Sequence, residues 1–183
     1  MEVEWFVPIL VKSLPFDVFF FAILLIMLER TVVFVSDDIL KSSSAVLAMK
    51  VLLHPFVIYH SIVPVLPNAV IHNLEAPVPL LIGVKRSQLI NNEIEMTSDT
   101  AINWIDLDAM DDNRACAIWS DYDQDVPIPY LNGLKDKVRK PYIEIQKAQT
   151  NVIEDSRTRL DFVNYQVRKM FETLKQGFMT EIV

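Results

Sequence analysis

Residues 16–36 read FDVFFFAILLIMLERTVVFVS, and a change of character inside this stretch decides the fold. Phe16 to Arg30 is apolar almost throughout and closes on strong helix formers, Leu24, Leu25, Met27, Leu28, Glu29 and Arg30. This predicts a helix covered on most of its sides, because a helix that is apolar all round has no wet face. Thr31 to Ser36 is β-branched and aromatic with no turn residue, which predicts a buried strand. A strand without polar alternation belongs in a parallel sheet covered by helices on both faces.

Outward from this unit the same alternation repeats. Ser42-Ser43-Ser44 offers an N-cap for a helix running to Leu53 and stopped by Pro55. Phe56 to Val63 predicts a second strand, and Pro64-Val65-Leu66-Pro67 a crossover. Asn68 caps a short helix, Ala69 to Leu74; Leu80 to Val84 is a third strand, Arg86 to Asn91 a short helix, and Ala101 to Asp108 a fourth strand. Upstream, Glu2 to Leu14 predicts a helix with Pro8 in its first turn. The order of elements argues for an α/β fold, a layered, mostly parallel sheet covered by helices. Residues 1–108 form this lobe. Residues 109–133 read as an acidic loop or linker without helical or strand period, and 134–183 as a C-terminal helical extension with helices at Leu134 to Thr150 and Ser156 to Met179.

Composition narrows the function classes. A chain of 183 residues with 51% hydrophobic side chains can bury a full core. Cys116 is the only cysteine, so no internal disulfide forms. Val18 to Leu28 is uncharged but much shorter than the roughly 20 residues that span a bilayer, and Glu2 and Glu4 stand where a secretory signal carries basic residues. Both point to a cytosolic chain without a transmembrane segment. The net charge is −7, with ten acidic side chains against Arg114 alone between Asn91 and Asp125. Leu134 to Gln176 is basic in balance, but no basic stripe interleaves with aromatics, so nucleic acid is not an expected partner.

The chemistry-bearing motifs are few. Only Gly83, Gly133 and Gly177 exist, which excludes a phosphate-cradling glycine loop and a dinucleotide fingerprint. His54, His60 and His72 lack metal-ligand spacing and sit among apolar residues, as core or interface histidines do. No cofactor is expected. Asp106-Leu107-Asp108 follows an apolar strand, where an acidic pair can hold Mg²⁺ against a phosphate. A phosphohydrolase of the haloacid dehalogenase type expects a hydroxyl residue two positions on, and Met110 stands there instead. Asp106, Asp108, Asp111 and Asp112 also lack the glycine and terminal glutamate of a calcium loop. Read from residue type alone, Pro55, Pro64, Pro67, Pro77 and Pro79 stop helices and shape strand entries, Gly83 permits close packing or a bulge, and Glu29 and Arg30 close the central helix, Arg30 suiting its C-terminal dipole.

Leu28-Glu29-Arg30 with Val32 to Ser36, then His54-Pro55-Phe56, His60, Ile62 to Pro67, Ala76 to Pro79, Ile82-Gly83-Val84 and Asp106-Leu107-Asp108, in this order and spacing, resembles the central module of a DENN domain. The resemblance covers about Phe16 to Asp108. It implies that Glu29, Arg30, Ser36, Pro55, Pro64, Pro67, Pro77, Gly83, Asp106 and Asp108 are family framework positions. It further implies a guanine nucleotide exchange factor for a Rab-type small GTPase in membrane traffic, cytoplasmic and recruited to vesicle or endosomal membranes, with no chemical catalysis. In that family the GTPase docks between the central lobe and an upstream longin-like lobe, and a helical downstream module follows, of which residues 134–183 would be the start. Only about fifteen residues precede Phe16, so another chain or lobe of longin type is an implied partner; a noncatalytic scaffold or assembly subunit is the alternative, and a Mg-dependent phosphohydrolase using Asp106 and Asp108 a distant one. The chain departs from the family pattern at His54 and at Ile58-Tyr59. The expected GTPase contacts lie in the connections Ser36 to Lys41 and Pro64 to Asn73, with Tyr59, His60 and Asn68 as candidates.

Overall fold

The structure is a computed structural model and describes residues 3–98, 101–109, 118–120, 132–150 and 156–181. Its helices are α1 (Val3–Ser13), α2 (Phe16–Met27), α3 (Ile39–Leu52), α4 (Arg86–Asn91), α5 (Asn132–Thr150) and α6 (Ser156–Glu181), with a 3-10 helix at Asn68–Glu75. The strands are β1 (Thr31–Ser36), β2 (Ser61–Val63), β3 (Leu80–Lys85), β4 (Ile102–Asp106) and β5 (Ile118–Trp119), ordered β2-β3-β1-β4-β5 across one sheet. The first four are mutually parallel and β5 is antiparallel to β4. The parallel α/β architecture expected from the apolar strand at 31–36 is present, and β1 lies between β3 and β4.

Register divides the core by the two-residue period of the strands. Val32, Phe34, Leu81 and Ile105 face the layer built by α1, α2, α3, α5 and α6. Ile82, Val33 and Trp104 lie in one row across the sheet and face the other way, under the 3-10 helix and α4. One face is therefore thickly covered and the other thinly.

The thick face includes the C-terminal helices. Leu134, Val138, Tyr142, Ile145, Val163, Val167, Met170 and Leu174 belong to the same buried cluster as the residues of α1 to α3. α5 also serves the end of α1, whose last carbonyls have no partner within the helix. Tyr142 Oη donates to the Leu14 carbonyl at 2.7 Å, and Gln146 Nε2 donates to the carbonyls of Val11 and Leu14, each at 3.0 Å. Burial pushes the Tyr142 hydroxyl pKa up, keeping it a neutral donor. Gly177 allows α6 to lie against Leu134, where a Cβ would overlap the leucine side chain.

Several element boundaries differ from expectation, each for a local reason. α2 stops at Met27 because Glu29 adopts a left-handed backbone, φ 56°, and the amides of Glu29 and Arg30 turn back onto the carbonyls of Ile26 and Leu25. α3 begins at Ile39 and is capped by Asp38, whose Oδ1 accepts from the Leu40 amide at 2.9 Å, and not by the serines. Pro8 lies inside α1 beyond its first turn. Only Ser61–Val63 of the expected 56–63 strand pairs, Phe56 to His60 forming a connection that follows a cis His54–Pro55 bond. The segment at Asn68 is a 3-10 helix with Pro67 at its cap and no side-chain cap bond. Ile118–Trp119 adds a strand within the acidic segment expected to be a loop; Asp111, Asp112 and most of 109–133 lie outside the described residues. Among the described residues no single helix is long and apolar enough to cross a membrane, and α1 and α2 are bent apart by 118°.

Gly83 shows why α3 carries small residues on its sheet side. A Cβ there would overlap the Pro64 carbonyl oxygen and meet the Ser42 backbone at 3.1 Å. Ser42, Ser44, Ala45 and Ala48 are correspondingly buried. Gly83→Ala must push backbone against backbone and is expected to lower unfolding free energy by about 2 kcal/mol or more. Urea denaturation checks this; a loss under about 0.5 kcal/mol would mean that the crossover yields freely.

Candidate functional site

In a parallel sheet the carboxyl ends of the strands share one edge, and the segments leaving the strands converge there. Here β1 delivers Ser36, Asp37 and Asp38, β3 delivers Arg86, and β4 delivers Asp106 and Asp108. Lys41 reaches the same place from the first turn of α3.

Arg86 is the hub. Its Nη2 lies 2.5 Å from Asp106 Oδ1 and 3.7 Å from Asp108 Oδ2, and its Nε lies 3.2 Å from Asp37 Oδ1. Asp106 has no solvent exposure, and its Oδ1 also accepts from the Asp108 amide at 2.9 Å. Asp108 accepts from Lys41 Nζ at 2.9 Å, from the Asp37 amide at 2.7 Å and from Ser36 Oγ at 3.2 Å. Ser36 Oγ in turn accepts from the Asp38 amide at 3.0 Å, and the Asp38 side chain caps α3. The network thus fastens the β1–α3 connection to the end of β4.

Burial alone would raise the Asp108 pKa, but the hydrogen bonds from Lys41, Asp37 and Ser36 outweigh it and hold the carboxyl below its ordinary value. Asp108 and the Oδ1 of Asp106 are therefore committed to cations and amides of the chain, whereas Asp106 Oδ2 is buried without a hydrogen-bond partner among the described residues. A guanidinium stands where a phosphohydrolase would bring Mg²⁺, and the three carboxylates of Asp37, Asp106 and Asp108 converge on it; among the described residues no group of three His, Cys, Asp or Glu is placed to hold a metal ion. The arrangement makes this edge of the sheet rigid.

The other singled-out residues fall elsewhere. Glu29 and Arg30 form the turn before β1, at the amino end of the sheet, and the Arg30 carbonyl lies 2.8 Å from His60 Nε2. His60 is buried, 7% exposed, and ties the start of β2 to the start of β1; desolvation lowers its pKa despite that contact. Tyr59 beside it is 75% exposed. Asn68 is exposed beyond the carboxyl end of β2, its Oδ1 accepting from Asn92 Nδ2 at 2.9 Å. Pro64 backs Gly83, Pro67 precedes the 3-10 helix, and Pro55 and Pro77 lie in connections. Sequence reasoning singles out neither Arg86 as a partner of the acidic pair nor Lys41 and Asp37 as its neighbours. The signal for Arg86 is positional, since a cation directly after β3 falls between two acidic strand ends only once β3 is placed beside β1.

A family model described as DENN (AEX-3) domain matches residues 6–110, from α1 to just beyond the Asp106-Leu107-Asp108 motif. The chain belongs to the DENN family. It is 43% identical over 64 residues to DENN domain-containing protein 2A of Mus musculus and 42% identical to that of Homo sapiens. It is 41% identical over the same length to DENN domain-containing protein 2B of Mus musculus. Each alignment covers 35% of this chain and 6% of the relative. The DENN match thus takes in the whole parallel sheet and the Arg86 cluster, while α5 and α6 lie beyond it.

Arg86→Ala is expected to cost about 3–5 kcal/mol, because it strands the Asp106 carboxylate in the interior. Arg86→Met combined with Asp106→Leu should recover most of that loss in urea denaturation; equal losses in both variants would show that the pair is not the source. For Asp108, a depressed folded-state pKa means stability that is present above the unfolded carboxyl value, about 3.9, and lost as pH falls through the folded value. Asp108→Asn should therefore flatten the acid limb of a stability-against-pH curve between about pH 5 and pH 2; an unchanged limb would remove Asp108 from the acid transition.

Proposed function

We propose that this DENN chain regulates a Rab-type small GTPase, promoting GDP release by binding the switch regions and stabilising the nucleotide-free form. The observation that carries the reading is the DENN match over residues 6–110. Exchange of this kind needs no acid, base or nucleophile, only a surface that fits the nucleotide-free GTPase better than the GDP-bound one. A cluster whose charges are paired within the chain suits that task, since it holds the β1–α3 connection in one geometry.

We assign the GTPase contact to the outer side of β2, the edge strand, and the connections at its two ends. Tyr59 and Asn68 are exposed there, and Val57 and Val65, 77% and 42% exposed, extend the apolar surface. His60 supports this edge from beneath through the Arg30 carbonyl. A longin-type lobe on another chain or segment supplies the remaining docking surface, and the regulator works in the cytoplasm at vesicle or endosomal membranes.

Release of fluorescent GDP from a panel of Rab proteins tests this, with the chain alone and with a longin-lobe partner added. Acceleration with at least one Rab is expected, reduced at least about tenfold by Tyr59→Ala while the fold persists by circular dichroism. Folded protein that accelerates none of the panel in either mixture overturns exchange and leaves a scaffold role. Acceleration that ignores Tyr59→Ala overturns the β2 assignment alone.

A further inference from the structure

The thinly covered face of the sheet carries a groove of about 780 Å³ between the 3-10 helix, the segment following α4, and the start of β4. Its base includes Trp104 and Ile102, with Ile94 alongside. Trp104 is only 1% exposed, yet its indole Nε1–H has no hydrogen-bond acceptor among the described residues. Indole is a donor only, and a buried donor left without a partner is a marked exception in folded proteins.

Carboxylates predominate on the groove, with His72 the one other titratable side chain among its described lining residues. Glu75, Glu93 and Glu95 line it and are exposed, and among the described residues neither lysine nor arginine lines it. Glu93 is placed there against local preference. It follows the C-terminal end of α4, where the helix dipole disfavours an anion, and it adopts a left-handed backbone at φ 55°. Its amide and that of Ile94 close the turn onto the carbonyls of Ile90 and Leu89.

We propose that this groove binds an extended peptide segment that carries lysine or arginine beside an apolar side chain. The apolar side chain packs on Ile94 and Ile102 beside Trp104, and the flanking cations meet Glu75, Glu93 and Glu95. The volume lies within the range of ligand pockets, about 300–1,000 Å³, and three carboxylates around one groove repel phosphate and acidic peptides. Peptide binding at this groove is separate from nucleotide exchange and is expected whether or not exchange is found.

Panning a random peptide display library on the full chain tests it. Enriched peptides should pair lysine or arginine with leucine, isoleucine or phenylalanine. A synthetic peptide of the enriched sequence should bind at least about tenfold more weakly to the Glu93→Gln/Glu95→Gln variant and more weakly as salt is raised. It should also shift the Trp104 indole resonance, identified among the three tryptophans by its loss in Trp104→Phe. Both glutamates are exposed, so the double variant is expected to fold, and the indole shift is an independent readout on the unaltered chain. Failure to enrich any peptide, enrichment of acidic peptides, or binding that leaves the Trp104 resonance unmoved overturns the proposal.

Discussion

A guanidinium set against a carboxylate with no access to water is the constraint around which the edge of this sheet is arranged. Asp106 ends β4, Arg86 follows β3, and β1 runs between them, so the pair can form only when all three strands are in register. Removing both charges from water costs several kcal/mol per ion, and their attraction does little more than offset it. What the pair contributes is uniqueness of arrangement. A slip of one residue in β4 would turn Asp106 to the opposite face and separate it from Arg86. The Leu107 amide, bonded to the Val35 carbonyl at 2.9 Å, continues the ladder into this cluster, and Asp108 then fixes Ser36, Asp37 and Lys41.

The two sheet faces differ in how much chain is available to cover them. On one side, five helices share a single apolar core, and the C-terminal pair is part of it through Tyr142, Val167 and their neighbours. α5 contributes polar chemistry as well, since its tyrosine and glutamine side chains satisfy carbonyls at the end of α1 that no helix bond can reach. On the other side, among the described residues, a 3-10 helix, α4 and the segment after it lie over Val33, Ile82 and Trp104. This imbalance leaves the groove and the unmatched indole on the thin side.

For a DENN chain, this division explains why the residues that carry family resemblance say little about contact. Gly83, Pro64 and Ser36 are held by steric fit or by buried hydrogen bonds, and Asp106 and Asp108 by ion pairs within the chain. Such positions tolerate little change because the interior is close-packed and its charges must be matched. Exposed positions such as Tyr59 and Asn68 are not held by that close packing.

The sequence by itself determined the class of each long element and the parallel architecture. Apolar runs of helical length alternate with short β-branched runs, and period and residue type are local properties that survive in a one-dimensional reading. The tertiary structure alone decided which polar residues act together. Arg86 sits twenty residues from Asp106, and nothing in its neighbourhood marks it until β1 is placed between β3 and β4. The same holds for the glutamates at left-handed turns, Glu29 and Glu93, where a glycine would have announced the helix end. It holds too for β5, because a strand of two residues is too short to show any period. Periodicity reports which face of an element is buried, whereas partner choice depends on strand order and register, and those are settled only when the whole sheet assembles.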